Sequence, residues 1–255
     1  MRVYRRSHCI SVVSAIAIAL GGVTACGGSS DEVVAQVAGV GSVSKSMVEH
    51  WIPIQARLIY QVVPTRPVPR GVVPDPPTYT ACIAYLQTTK QKIAETGPRA
   101  TTAELRRKCA VKYQEMKANA LNLLITWDWT IGQGLRAGMK VSDAEARQRI
   151  EALKKGDLAG VDFKKYLKYT GQTQSDMLLR AKVQLFEVKL NQRLQAMAKQ
   201  LPKGLTAQQQ RAAMAKLAAT LLTDKQWAAR TSCSSGYVTS SCKQYKGPLP
   251  PGAPS

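Results

Sequence analysis

The feature that most constrains the fold is a long run of apolar residues at helical spacing in the middle of the chain. Apolar side chains recur there every three or four residues, which places them on one face of an α-helix. The members of this stripe are Leu105, Cys109, Tyr113, Met116, Ala120, Leu124, Trp127, Ile131 and Leu135. A second stripe comprises Leu179, Val183, Phe186, Leu190, Leu194, Met197 and Leu201. We therefore expect two long antiparallel helices to pair in the core of a mainly α fold.

Four of the predicted helices begin with a capping box, in which a hydroxyl residue is followed three positions later by an acid or an amide. The pairs are Thr101 with Glu104, Ser142 with Glu145, Thr173 with Asp176, and Thr206 with Gln209. Each hydroxyl can accept from a backbone N–H that has no partner inside the helix. Further helices are predicted at Thr78–Glu95, Ser142–Lys155, Phe163–Tyr169 and Thr206–Thr231.

The two ends of the domain predict a small β element. Glu32–Gly39 has β-branched residues at strand spacing and ends in glycine, and a second short strand is predicted at about Tyr237–Cys242. We expect a two-stranded pairing that joins the N- and C-terminal ends. The helix that follows from about Ser44 should kink or end near Pro53.

Proline is concentrated in two segments. Residues 63–77 hold six of the 13 prolines, which predicts an extended surface loop. A PxxP docking site is one interpretation of this loop, and a rigid connector is the simpler one. Residues 247–255 form a second proline-rich segment, which we expect to be a disordered tail.

Residues 1–25 are typical of a signal peptide. Three arginines precede an apolar run from Cys9 to Leu20, and small residues follow it. The run is shorter than the roughly 20 residues that a membrane span needs. Val23–Cys26 resembles a bacterial lipobox, which predicts acylation of Cys26, palmitate included, and a flexible tether over residues 26–31. We expect an extracytoplasmic protein that is lipid-anchored to the bacterial cell membrane, with an ordinary secretory signal as the alternative.

Four cysteines remain for disulfides in an oxidising compartment: Cys82, Cys109, Cys233 and Cys242. Three pairings are possible. Cys82 and Cys109 lie at similar distances on either side of the predicted turn at residues 96–100, so a helix hairpin would bring them together. We predict that pair, which leaves Cys233 to bond Cys242. No C-x-x-C spacing supports a redox or zinc site.

The charge and the histidine content narrow the choice of function. Lys and Arg outnumber Asp and Glu by 36 to 16, a net charge of +20 that favours an anionic partner. For an exported protein, anionic lipids or wall polymers fit better than nucleic acid. His8 leaves with the signal, so a Ser/His/Asp hydrolase would have to use His50, beside which no nucleophile motif is found. We expect no metal site and no cofactor.

Three segments, taken in order, resemble the SurA N-terminal domain family and PrsA-type foldases. Val33–Lys45 resembles the family's opening strand, turn and helix start. Lys140–Glu145 resembles its next helix start, and Phe163–Leu179 resembles the segment that leads into its long helix. The resemblance extends from about Glu32 to Gln200. It implies a SurA-N-like helical chaperone domain over residues 32–246.

The resemblance also implies a function, although the chain differs from the family in one respect. It implies an ATP-independent chaperone or foldase-like lipoprotein that holds unfolded exported polypeptides. Members that isomerise prolyl bonds carry a parvulin domain after the long helix, whereas only Leu201–Leu205 separates that helix from the next one here. The parvulin chemistry therefore cannot be assigned to any residue of this chain. The alternatives are an envelope adaptor lipoprotein that binds one partner, or a residual peptidyl-prolyl isomerase.

Four aromatic residues are candidates for an apolar client-binding groove: Trp51, Trp127, Trp129 and Phe186. The competing interpretation is core packing, above all for Trp127, which belongs to the first stripe. Trp129 lies about 200° around the helix from Trp127, so the two side chains cannot face the same core. One of them should contact another element or a client.

Overall fold

Helices make up most of the computed structural model, which describes residues 31–59, 69–92, 100–202, 204–218 and 221–247. These residues belong to one compact unit, Asp31–Ser255. The strands are β1 (Val33–Val37), β2 (Gly41–Ser44) and β3 (Thr231–Cys233). The helices are α1 (Lys45–Ile59), α2 (Thr80–Lys92), α3 (Thr102–Arg136), α4 (Asp143–Lys155), α5 (Phe163–Thr170), α6 (Gln174–Lys199), α7 (Ala207–Ala218) and α8 (Asp224–Ala228). The prediction of a mainly α fold is confirmed.

The predicted helix starts are present as hydrogen-bonded capping boxes. Thr101, Ser142 and Thr173 each accept from a backbone N–H in the first turn of α3, α4 and α6, and an acid reaches back to each cap. Thr206 and Gln209 form the same reciprocal pair before α7. All four predicted boxes therefore begin helices.

The small sheet differs from the prediction, because it has three antiparallel strands in the order β2–β1–β3 rather than two. The prediction stopped at Gly39, which adopts a positive φ of 76° and turns the chain into β2. The C-terminal strand is Thr231–Cys233, not Tyr237–Cys242. The side chain of Gln244 bonds both the N–H and the carbonyl of Cys233, at 3.1 and 3.0 Å, and so satisfies the outer edge of β3. Residues 237–242 are therefore free to form turns.

The main core lies where α1 and α3 pack together against the sheet. Val34, Val37 and Val43 of the strands are buried with Trp51 and Ile125 of the two helices. A smaller cluster joins α2 to the beginning of α3 through Cys82, Ile83, Leu105 and Cys109. The burial of these apolar side chains is the main stabilising contribution to the fold.

Both predicted disulfides are present. Cys82 bonds Cys109 and fixes α2 to α3, and Cys233 bonds Cys242 across the turns that follow β3. The antiparallel placement of α2 and α3 on either side of their connection explains the first pair.

The proline-rich segment is less extended than expected. Residues 69–77 form bends and turns, and Val72 within them is fully buried. Gly71 has a φ of +87° and lies so close to α2 that a Cβ there would be 2.0 Å from the carbonyl oxygen of Ala81. Asp75 then caps α2 by accepting from the N–H groups of Ala81 and Cys82. This part of the loop is fixed by packing and capping.

Other predicted boundaries are corrected or lie outside the described residues. Of the two expectations for Pro53, a kink or an end of the helix, the end is ruled out, because α1 continues through Pro53 to Ile59. The single helix expected from Thr206 to Thr231 is two helices, α7 and α8. Asp31, placed in the tether, accepts from the N–H of Ser46 and belongs to the fold. The predicted signal peptide, Cys26, residues 63–68 of the proline-rich loop and residues 248–255 of the predicted tail are outside the described part.

Candidate functional site

A groove opens between α4, α5 and the first turns of α6, with a volume of about 370 Å³. One side chain from α4, one from α5 and two from α6 give it apolar walls: Ile150, Phe163, Met177 and Leu178. Met177 is buried, whereas the other three are partly exposed. The groove therefore presents apolar surface that solvent can reach.

Charged side chains of α4 border this apolar surface. The Nζ of Lys154 lies 2.6 Å from a carboxylate oxygen of Glu151 and 4.4 Å from the centre of the Phe163 ring. Arg147 is 70 % exposed and its guanidinium is 3.9 Å from the Asp143 carboxylate. An exposed ion pair of this length contributes little to stability. The Arg147 charge is thus accessible to a ligand in the groove.

The first turn of α6 is held in place from two directions. Asp176 accepts from the N–H and the hydroxyl of Thr173 and, at 2.8 Å, from Nε2 of His50 in α1. Burial alone would raise the pKa of the Asp176 carboxyl, but these hydrogen bonds outweigh it and hold the pKa below its ordinary value. His50 thereby links α1 to the helix that carries Met177 and Leu178. The arrangement gives His50 a positioning role.

Three of the four predicted client-binding side chains lie in the core instead of this groove. Trp51 is fully buried and meets the ring of Trp127 edge-on, with 4.8 Å between ring centres. Trp129 is 7 % exposed and donates from Nε1 to the hydroxyl of Thr231 in β3 at 2.9 Å. Phe186 is 4 % exposed and packs on Gly134.

The expectation that the two neighbouring tryptophans of α3 cannot face the same core is wrong, because both pack in the main core, where they contact different elements. Trp127 is partly buried against α1, and Trp129 is buried against the sheet. The element that Trp129 contacts is thus a strand of this chain. In the conformation described, Trp51, Trp129 and Phe186 are all buried, so a client could not contact them.

The groove residues were not singled out from the sequence. Ile150, Phe163 and Met177 lie on three helices whose existence was predicted, but their convergence depends on how α4 and α5 dock on α6. Two ion pairs join α4 to α6 in that arrangement, with Lys182 and Lys189 of α6 at 2.6 and 2.7 Å from Asp143 and Glu145 of α4. The spacing of apolar residues in the sequence predicts each of these helices, but it does not predict the groove that forms between them.

Comparisons with known proteins identify no relative: no family model matches the chain, and searches of the curated proteins and of the solved structures found no match. Among the described residues, no group of His, Cys, Asp and Glu is arranged to hold a metal ion. Within the same part of the chain, no helix combines the length and the apolar character required to cross a membrane.

Proposed function

We propose that this chain is an ATP-independent, extracytoplasmic chaperone of the SurA-N-like type, anchored to the bacterial membrane through Cys26. In this proposal it binds unfolded exported polypeptides transiently, and the α4–α5–α6 groove contacts their apolar side chains. The SurA-like architecture and the lipid anchor are part of the same proposal, which starts from the sequence motifs.

The observation that carries the proposal is the combination of apolar walls and basic border in one solvent-accessible groove. Ile150, Phe163 and Leu178 offer partly exposed apolar area, and Arg147 offers a charge that is not strongly engaged. Exposed apolar surface of this kind marks a binding site for polypeptides or small ligands. A protein that only holds unfolded chains needs such a surface and no reacting group.

The position of the lipid supports a role close to the membrane. Four residues, 27–30, lie between Cys26 and Asp31, where the fold begins, which makes five Cα–Cα steps. A chain of that length reaches at most about 18 Å when fully extended. An acylated Cys26 would therefore keep the folded domain close to the membrane across which exported polypeptides emerge.

The test is suppression of aggregation. The chain from Gly27 onward, with both disulfides intact, is mixed at near-equimolar ratio with two unrelated denatured proteins, and light scattering is followed. We expect slower aggregation of both. Leu178→Ser and Arg147→Glu should weaken the effect, whereas Leu135→Ser and Arg149→Glu, at exposed positions outside the groove, should retain it.

The other outcomes separate the competing functions. No effect on either protein would overturn the chaperone proposal and favour an adaptor that binds one envelope partner. Faster refolding of a proline-limited protein, relative to its uncatalysed rate, would favour residual isomerase activity. Equal loss of suppression in the groove variants and the control variants would show that the groove is not the contact site.

A further inference from the structure

The apolar stripe of α6 continues beyond the point at which the fold buries it. In the sequence the stripe runs unbroken from Leu179 to Leu201. Burial is complete for Val183 and Phe186, but Leu190, Leu194 and Met197 are only partly buried. A regular apolar face that the described part of the fold leaves partly exposed can serve as a binding surface.

This part of α6 and the helix that follows form a hairpin, here called the arm, which covers residues 187–218. None of the described side chains in the arm is buried. Its base is attached to the body by hydrogen bonds. Arg193 donates to the carbonyl of Ala137, and the amide of Gln133 bonds the carbonyl and the N–H of Leu222 at 2.8 and 3.2 Å. The arm is thus fixed at its base, and its apolar row stays partly exposed.

A cleft of about 230 Å³ lies between this row and the C-terminal end of α3. Leu190, Leu194 and Met197 line it from α6, and Leu221 lines it from the segment after α7. Their spacing along α6 is i, i+4 and i+7, the pattern of side chains that receives a second helix. The cleft is separate from the α4–α5–α6 groove, since Leu178 and Leu194 are about 24 Å apart along the helix axis.

The charge of the arm narrows the choice of occupant. Residues 187–218 contain six basic side chains and one acidic side chain, a net charge of +5. Arg136 and Arg193 lie at the cleft itself. Two copies of such a surface would repel each other, whereas a partner with acidic side chains would be attracted.

We propose that the cleft of the arm is a docking site for an acidic amphipathic helix of a partner protein. Its leucines would enter the row formed by Leu190, Leu194 and Met197, and its carboxylates would face Arg136 and Arg193. This inference does not rest on the proposed chaperone function, because it concerns another part of α6 and an already helical, acidic ligand.

The experiment uses the full-length chain in nanodiscs of neutral lipid, with both disulfides intact. The probe is an 18-residue fluorescein-labelled peptide with leucines at i, i+4, i+7 and i+11 and glutamates elsewhere, and binding is followed by fluorescence anisotropy. Two further peptides serve for comparison, one of the same composition in scrambled order and one with lysine in place of glutamate. We expect binding of the acidic helical peptide alone, weakened by added salt.

Matched variants locate the site. Leu194→Ser and Arg136→Glu should each weaken binding by about tenfold or more, as expected for central contacts. Val188→Ser, on the opposite side of α6, and Arg149→Glu, on α4, should change the dissociation constant by less than about twofold. Circular dichroism checks that all four variants keep their helices.

Three results would overturn the inference. The first is equal binding of the helical and scrambled peptides, and the second is unchanged affinity in Leu194→Ser and Arg136→Glu. The third is a dimer of the chain, seen by light scattering, that Leu194→Ser dissociates, since the occupant would then be a second copy. Absence of aggregation suppression together with intact peptide binding would count against the chaperone proposal and would support the docking site as a separate function.

Discussion

The carboxyl group of Asp128 is half-buried on the face of α3 that packs against β2. A Cβ added to Gly41 would be 3.4 Å from its oxygens, so the hairpin strand lies directly over it. Burial raises the pKa of Asp128 from 3.8 to about 6. Between these two values the folded chain keeps a proton that the unfolded chain has lost. Ionisation of Asp128 therefore lowers the free energy of unfolding. This penalty is absent below about pH 4, grows as the pH rises from about 4 to about 6, and keeps its full size above that.

Replacing this carboxylate tests the argument. Asp128→Asn should raise the free energy of unfolding at pH 7.5 by about 1–3 kcal/mol, because the buried charge is removed without a change of shape. The advantage over the unmodified chain should disappear near pH 4. Urea unfolding at the two pH values measures it, and an equal advantage at both would contradict the elevated pKa.

A second residue-scale prediction concerns the contact between α3 and α6. Gly134 is buried, and a Cβ there would be 2.1 Å from a ring carbon of Phe186. Alanine favours a helix by about 1 kcal/mol over glycine, but overpacking of this kind costs about 1–3 kcal/mol or more. We expect Gly134→Ala to lower the melting temperature. The second change Phe186→Leu should recover part of the loss relative to Gly134→Ala, and no recovery would contradict the steric explanation.

The attachment of α2 to α3 depends strongly on the disulfide between Cys82 and Cys109. Among the side chains that the structure describes, its buried apolar contacts with α3 form the small cluster around Cys82, Ile83, Leu105 and Cys109. The disulfide spans 27 residues, so its loss should cost about 2–4 kcal/mol, largely by releasing the unfolded chain. In the double variant Cys82→Ser/Cys109→Ser we expect faster amide hydrogen exchange in α2, with protection of α1 and the middle of α3 retained. Uniform loss of protection would instead show that α2 and the main core unfold as one unit.

Helices were predictable here where their signals are local. Thr101 and Glu104 form a capping box that lies within one turn, and the stripe from Leu105 to Leu135 repeats at the helical period. The same signal, Thr223 with Gln226, also starts α8, which was absorbed into a longer predicted helix. The position of β3 could not be predicted in this way, because its edge is completed by the Gln244 side chain 11 residues further along.

At the scale of the whole molecule, both candidate surfaces arise from contacts between distant parts of the chain. The groove requires Ile150, Phe163 and Met177 to converge from three helices, and that convergence depends on tertiary packing that local sequence patterns do not encode. The arm could be recognised only by comparing the apolar pattern of α6 in the sequence with the burial of its side chains in the structure. Leu194 is partly exposed, although it continues a stripe that is buried at Phe186. Sequence periodicity predicts which face of a helix is apolar, and packing decides whether anything covers it.

The excess of positive charge leads to a prediction for the whole molecule. Residues 1–26 hold three arginines and no acidic residue, so the chain from Gly27 onward keeps a net charge of +17 and should associate with anionic surfaces even without an acyl chain. The chain from Gly27 onward should co-sediment with vesicles containing anionic phospholipid and not with neutral vesicles. Because exposed charges are screened over about 8 Å at physiological salt and about 3 Å at 1 M, binding should be lost at high salt. Equal binding to neutral vesicles would show that apolar contacts, not charge, hold this protein at a membrane.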